Sequence, residues 1–188
     1  MKNQYEIAKE TILKSNYEIK GLKTFMGMEG YGVNASLYYK GKKIAFIIDE
    51  GNGGCLNIDY VDAKKHSYVP PHITEFLKTL PSFTNKEQGF EFREDEIDRV
   101  DEEDFCNILI NHKLDQREFK KCLNKVSVLT DDNTIATYKA KASDLDKIFN
   151  FKEGKMTFRE LISKDKSVKL ILNDMPKDDA YDVYMLNR

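Results

Sequence analysis

Residues 17 to 61 constrain this chain most: four short runs of β-branched, aromatic and alternating residues are parted by three turns that each contain glycine. The runs are 17–25, 32–39, 43–49 and 55–61. Such segments pair most simply with their sequence neighbours, which predicts a four-stranded antiparallel meander. Tyr39-Lys40-Gly41-Lys42 reads as a compact hairpin turn whose glycine supplies positive φ, and Glu50-Gly51-Asn52-Gly53-Gly54 joins the third run to the fourth. Val33, Ala35, Leu37 and Tyr39 alternate with Asn34, Ser36 and Tyr38, giving the second strand one apolar face. The run from Ile44 to Ile48 is apolar throughout and predicts a central strand.

The flanking segments change texture. Tyr5, Ala8 and Ile12 fall at helical spacing, so residues 3–15 predict an amphipathic helix that covers one face of the sheet. Pro70-Pro71 precedes a short helix, 72–80, stopped by Pro81. From Lys86 to Asp104 the chain carries ten carboxylates against three basic residues. Ile97, Val100, Phe105, Ile108 and Leu109 recur there at helical spacing, predicting a helix over 95–113 with the acids on its solvated face and first turn. Asp115-Gln-Arg-Glu118 resembles a capping box and opens a further helix through Leu123. Beyond it the pattern predicts a hairpin (126–129 with 134–140), helices over 143–149 and 157–163, and strands over 168–172 and 180–186. The expected class is α+β: an N-terminal helix on a four-stranded antiparallel sheet (1–68), central helices with an acidic belt (69–124) and a smaller α/β part (125–188).

A length of 188 residues suffices for a self-supporting core, and a net charge of -2 gives no global attraction to nucleic acid or to an anionic membrane. Binding of either kind needs a local patch. Cys55, Cys106 and Cys122 are odd in number and widely spaced, which fits free thiols in a reducing compartment rather than a disulfide framework. Without an apolar run of bilayer-spanning length or an apolar leader, the expected location is the cytoplasm, with no membrane partner.

The chemistry-bearing patterns divide into three. The glycine clusters lack the Lys-Ser/Thr and following helix of a phosphate loop and the third glycine of a dinucleotide fingerprint, so they read as turns or bulges. Asp49 with Asp62-Ala63-Lys64 has the order and approximate spacing of an acid and an acid-x-Lys on neighbouring strands. That arrangement lets Asp49 and Asp62 hold Mg²⁺ while Lys64 orients water, with Glu29 as a further ligand; it defines an alternative reading as a Mg²⁺-dependent nuclease acting on RNA or DNA. His66, His72 and His112 are scattered and form no zinc pattern, and Cys106 and His112 fall on different faces of one helix. For contacts, the acidic belt offers Glu94, Asp95, Glu96, Asp98, Asp101, Glu102, Glu103 and Asp104 as a mimic of a phosphate backbone. Lys120, Lys121, Lys125, Lys139 and Lys141 offer a local basic patch for nucleic acid.

The stretch TFMGMEGYGVNASLYYKGKKIAFIIDEGNGG (24–54) resembles an uncharacterised small-protein family carried by bacterial phages, plasmids and other mobile elements. The shared pattern is an aromatic-x-Gly-x-Glu-Gly-x-Gly core, then Asn-Ala-x-Leu-Tyr, Gly-Lys-Lys and Asp-x-Gly-Asn-Gly-Gly. Phe25, Gly27, Glu29, Gly30, Gly32, Asn34, Ala35, Leu37, Tyr38, Gly41, Lys42, Lys43, Asp49, Gly51, Asn52, Gly53 and Gly54 carry it, and NKVSVLTDD and LILNDM extend the likeness towards the C-terminus. The resemblance implies a mobile-element protein that antagonises host defence, such as an anti-CRISPR acting on an RNA-guided nuclease or its guide RNA. It carries over no catalytic residues; the expected partner is a host defence protein or ribonucleoprotein, and no cofactor is expected outside the Mg²⁺ alternative. A mobile-element housekeeping module without a defence role is the third reading.

Overall fold

A computed structural model describes residues 2–62, 69–89, 91–151 and 154–188. The fold is α+β, and the chain divides into two compact units, Met1–Leu114 and Asp115–Arg188.

The first unit opens with α1 (Gln4–Leu13), held at its start by a reciprocal capping box between Asn3 and Glu6. The meander follows: β1 (Tyr17–Met26), β2 (Tyr31–Tyr39), β3 (Lys42–Asp49) and β4 (Asn57–Tyr60), antiparallel in the order β1-β2-β3-β4. The β2–β3 turn has both Lys40 (φ 49°) and Gly41 (φ 78°) in the left-handed region, the pair that a two-residue hairpin turn of matching twist requires. Two bulges bend the sheet. One falls between Lys20 and Lys23 on β1, where Gly21 has φ 64°; the other accommodates Ile44 on β3.

The bulges leave Tyr17, Ile19, Leu37, Ala45, Ile47 and Tyr60 on one face, buried with Ala8 and Ile12 of α1. The same core takes in Ile73 of α2 (Pro71–Lys78), Phe83 of β5 (Phe83–Thr84), and Phe105 and Leu109 from the chain's longest helix. Between these come α3 (Asn85–Gln88), opened by a Thr84/Glu87 capping box, and β6 (Ile97–Asp98), which pairs with β5. Among the described residues, the helices that pack on the sheet therefore lie on one side of it.

That longest helix, α4 (Glu102–Leu123), corrects two expectations. It starts seven residues later than predicted, because 91–101 turns back to place β6 beside β5. It also runs unbroken through Asp115-Gln-Arg-Glu118: no glycine or proline interrupts 111–118, and Phe119 and Cys122 continue the buried stripe of Phe105, Ile108 and Leu109. The boundary between the units falls inside this helix.

The second unit pairs β7 (Lys125–Thr130) with β8 (Ile135–Lys141), as predicted, and adds β11 (Val168–Ile171) in the order β11-β7-β8. Before β11 come the hairpin β9 (Ile148–Phe151) and β10 (Gly154–Thr157) and the short α5 (Phe158–Ser163), whose Thr157/Glu160 capping box matches the sequence signal. Val126, Val128, Leu145 and Ile162 form its core. The expected helix over 143–149 is instead a 3-10 turn (Ala142–Asp144) running into β9, because Ile148-Phe149-Asn150-Phe151 finds a pairing partner in β10. The expected strand over 180–186 is α6 (Lys177–Leu186). Pro176 precedes it, Asp178 and Asp179 favour its N-terminus, and Tyr181 and Tyr184, three residues apart, both reach the Phe119 ring at 5.1 and 5.4 Å.

Candidate functional site

The sheet register decides the fate of the acid pair. Ala45 lies opposite Tyr60, Ile48 lies opposite Asn57, and the Val61 N–H donates to the Ile44 carbonyl. Asp49 therefore ends β3 at one end of the strand pair while Asp62 leaves β4 at the opposite end, on the order of 15–20 Å away at about 3.3 Å per residue. Two carboxylates so placed do not share a cation. The Asp49, Asp62 metal pair is thus corrected by the antiparallel connection itself, and Lys64, with His66, lies outside the described residues. Among the described residues no group of three His, Cys, Asp or Glu side chains is placed to hold a metal ion.

Asp49 and Glu29 instead serve the glycine turns. Asp49 Oδ1 accepts the Gly51 N–H at 2.8 Å, an Asx turn that starts the 50–54 loop. The Glu29 N–H donates to the Gly51 carbonyl at 2.8 Å, and the Met28 N–H approaches Asn52 Oδ1 at 3.4 Å, so the β1–β2 turn and the β3–β4 turn are bonded to each other. The fit is close: a Cβ on Gly27 would lie 2.5 Å from the Glu50 carbonyl oxygen, and one on Gly53 would lie 2.5 Å from Glu29 Oε2. Most of the EGYG…DEGNGG pattern is therefore consumed in locking two turns at one end of the sheet.

The acidic belt is partly structural. Asp101 caps α4, its Oδ1 accepting the Asp104 N–H at 2.8 Å, while Asp104 Oδ2 faces the Asp101 N–H at 3.5 Å. Partial burial and the neighbouring Asp101 charge raise the Asp104 pKa. Glu102 accepts from the Tyr60 hydroxyl at 2.6 Å, and Glu103 accepts the Leu56 N–H at 3.1 Å. These contacts line a cleft of about 420 Å³ between β4 and the start of α4. Burial, then the Glu102 carboxylate, drives the Tyr60 pKa upward. The Cys106 thiol is raised by burial and the same acids, the opposite of what an activated nucleophile needs. Glu94 pairs with Lys86 at 3.0 Å and Glu96 with Arg93 at 3.6 Å, while Asp95 and Asp98 are exposed. The eight carboxylates do not form one helical row.

Of the basic patch, Lys125 and Lys141 stand directly opposite each other across β7 and β8, Lys121 is bound to Glu118 at 2.6 Å, and Lys120 and Lys139 are exposed.

The surface that sequence reasoning missed is the second face of the N-terminal sheet. With the helices on the far side, outward positions run in cross-strand rows: Glu18, Tyr38 and Lys43; then Lys20, Ser36, Phe46 and Asp59; then Lys23, Asn34, Ile48 and Asn57; then Phe25 over Gly32. The Phe25 ring lies against Gly32, where a Cβ would meet it at 2.5 Å. Phe46 is 50% exposed although it lies mid-strand. Lys43 Nζ sits 3.2 Å from the Phe46 ring centroid, and Lys20 Nζ sits 4.7 Å from that of Tyr38 and 2.7 Å from Glu18. Cation–π contacts at such exposed sites contribute about 0.5–1 kcal/mol each. The available signal was the bulge: with Ile44 as the extra residue, Lys43, Phe46 and Ile48 share one face of a strand that reads as apolar throughout.

This fold and surface define a two-layer α+β unit with one sheet face left open, joined to a smaller α+β unit. Comparison of the chain with protein-family models, with curated proteins and with solved structures returned no match. No helix among the described residues is long and apolar enough to cross a membrane.

Proposed function

We propose that this chain is a non-enzymatic binding protein of a mobile element that blocks a host defence complex, an RNA-guided nuclease in the manner of an anti-CRISPR, acting in the cytoplasm of the bacterial host. The resemblance of residues 24–54 supplies the biological context. The observation that carries the binding reading is the open sheet face, on which Tyr38, Phe46, Phe25 and three lysines stand clear of the helices. A mid-sheet aromatic that is half exposed contributes less to the core than a buried one and offers contact area to a partner. The carboxylates that would have made a Mg²⁺ nuclease are parted by the register, so no cleavage step is assigned to them.

Co-purification of the tagged protein with a panel of RNA-guided nucleases, followed by a target-cleavage assay, tests this. The expected result is a stable complex and loss of cleavage, both reversed by Phe46→Ala with Lys43→Glu. Absence of any partner, with cleavage unaffected by excess protein, would overturn it.

A further inference from the structure

We infer that the open face of β1, β2 and β3 binds single-stranded RNA, with bases stacking on Tyr38, Phe46 and Phe25 and phosphates meeting Lys20, Lys23 and Lys43. The inference rests on the reading of this face as the binding surface and names its ligand. Three observations carry it. First, Tyr38 and Phe46 are diagonal neighbours on adjacent strands, because Tyr38 pairs with Lys43 and Phe46 with Ser36. Diagonal positions lie about 7–8 Å apart, a step that successive unstacked nucleotides can span and stacked duplex bases cannot. Second, the charge is complementary to a polyanion: Lys20, Lys23 and Lys43 face outward with two acids, and with Glu18 and Lys20 paired at 2.7 Å the face keeps Lys23 and Lys43 against Asp59, a net positive charge. Third, Ser36, Asn34 and Asn57 fill the positions between the rings with groups that both donate and accept, as a ribose 2′-hydroxyl requires.

Lys43 now covers the Phe46 ring at 3.2 Å. Binding exchanges that contact: the ammonium swings to a phosphate and a base takes its place on the ring. Aromatic platforms of this kind bind single strands with little sequence preference, and the lysines set a salt dependence.

The test is fluorescence anisotropy of the full chain with labelled oligouridylate of about 12 nucleotides, against oligodeoxythymidylate and duplex RNA of equal length. Oligouridylate is expected to bind at least about tenfold tighter than the duplex, with Phe46→Ala weakening it about tenfold. Lys23→Ala is expected to shallow the slope of log K against log salt by about 0.7. Circular dichroism checks that both variants fold, and Lys43→Glu provides a second surface change that leaves the core untouched. No binding to oligouridylate, equal binding by Phe46→Ala, or a preference for the DNA strand would overturn the assignment to RNA. If RNA fails while the defence nuclease is still captured and Phe46→Ala abolishes capture, the face is a protein interface: the ligand falls and the binding reading stands. If neither RNA nor nuclease binds, both fall.

Discussion

Gly27 shows how a motif residue acts through volume alone. Three backbone atoms of Glu50 and Gly51 lie within 2.8 Å of where its Cβ would be, and those atoms are fixed by the turn that Glu29 and Asp49 hold. Gly27→Ala should therefore cost about 1–3 kcal/mol, as overpacking does, and chemical denaturation of the variant measures it. Gly30→Ala, where the added carbon meets nothing within 4 Å, is the control and should cost less. In the second unit Asn173 plays the corresponding part through hydrogen bonds. Its Oδ1 accepts the Ser127 N–H at 2.8 Å and its Nδ2 donates to the Leu123 and Lys125 carbonyls at 3.0 Å each. Asn173→Ala leaves those groups unpaired and should destabilise by about 1–3 kcal/mol, seen as an earlier unfolding midpoint. Arg159 bridges Asp146 and Asp174, and its hydrogen bond holds the Asp146 carboxyl below its ordinary pKa. A depressed folded pKa adds stability above the unfolded value that is lost as pH falls through the folded one. Arg159→Gln should accordingly be less stable at neutral pH, with the deficit closing in acid, as denaturation midpoints across pH would record.

At the scale of the element, α4 carries the sharpest contrast. Its 22 residues pass through Asp115 without a break, and Asp115 forms an ion pair with Arg188 instead of capping a new helix. The two arrangements respond oppositely to proline. If Asp115 capped a helix, Gln116 would be its first residue, where proline is welcome. In the continuous helix Gln116→Pro breaks the ladder and should cost about 3 kcal/mol, read as lost helical dichroism and a lowered melting temperature. Capping signals are local, so Thr157-x-x-Glu160 and Asp115-x-x-Glu118 look alike in sequence. What separates them is what precedes: a strand ends at Thr157, whereas a buried apolar stripe runs on either side of Asp115. The same competition turned 180–186 from strand to helix, because Phe119 offers its ring to side chains three apart.

For the whole molecule, the separation of Asp49 from Asp62 follows from topology. An antiparallel pair with a tight turn brings together the end of one strand and the start of the next, so an acid closing β3 meets residues near Leu56 and not those beyond Tyr60. That much was legible in the meander once its direction was taken seriously. Millimolar Mg²⁺ should leave the unfolding midpoint unchanged, whereas a cation site used by the native state alone would raise it with concentration. A shift with Mg²⁺ that Asp49→Ala removes would contradict the separation.

Alternation, glycine turns and a few capping boxes were enough, from residue order alone, to specify the α+β class, an antiparallel meander and the hairpin at Lys40-Gly41, whereas the exact strand pairing came from the tertiary structure. These signals act over a handful of residues, and the physics that makes them, allowed φ values and the period of side-chain direction, is equally local. Tertiary packing alone settled which carboxylates of the acidic run are tied to Tyr60 and Leu56, and whether 102–123 is one helix or two. Those outcomes depend on partners far along the chain, whose contribution to burial no short window contains. The open face with Phe46 at its centre is such an outcome: its residues are dispersed over four strands and become a surface only when the register aligns them.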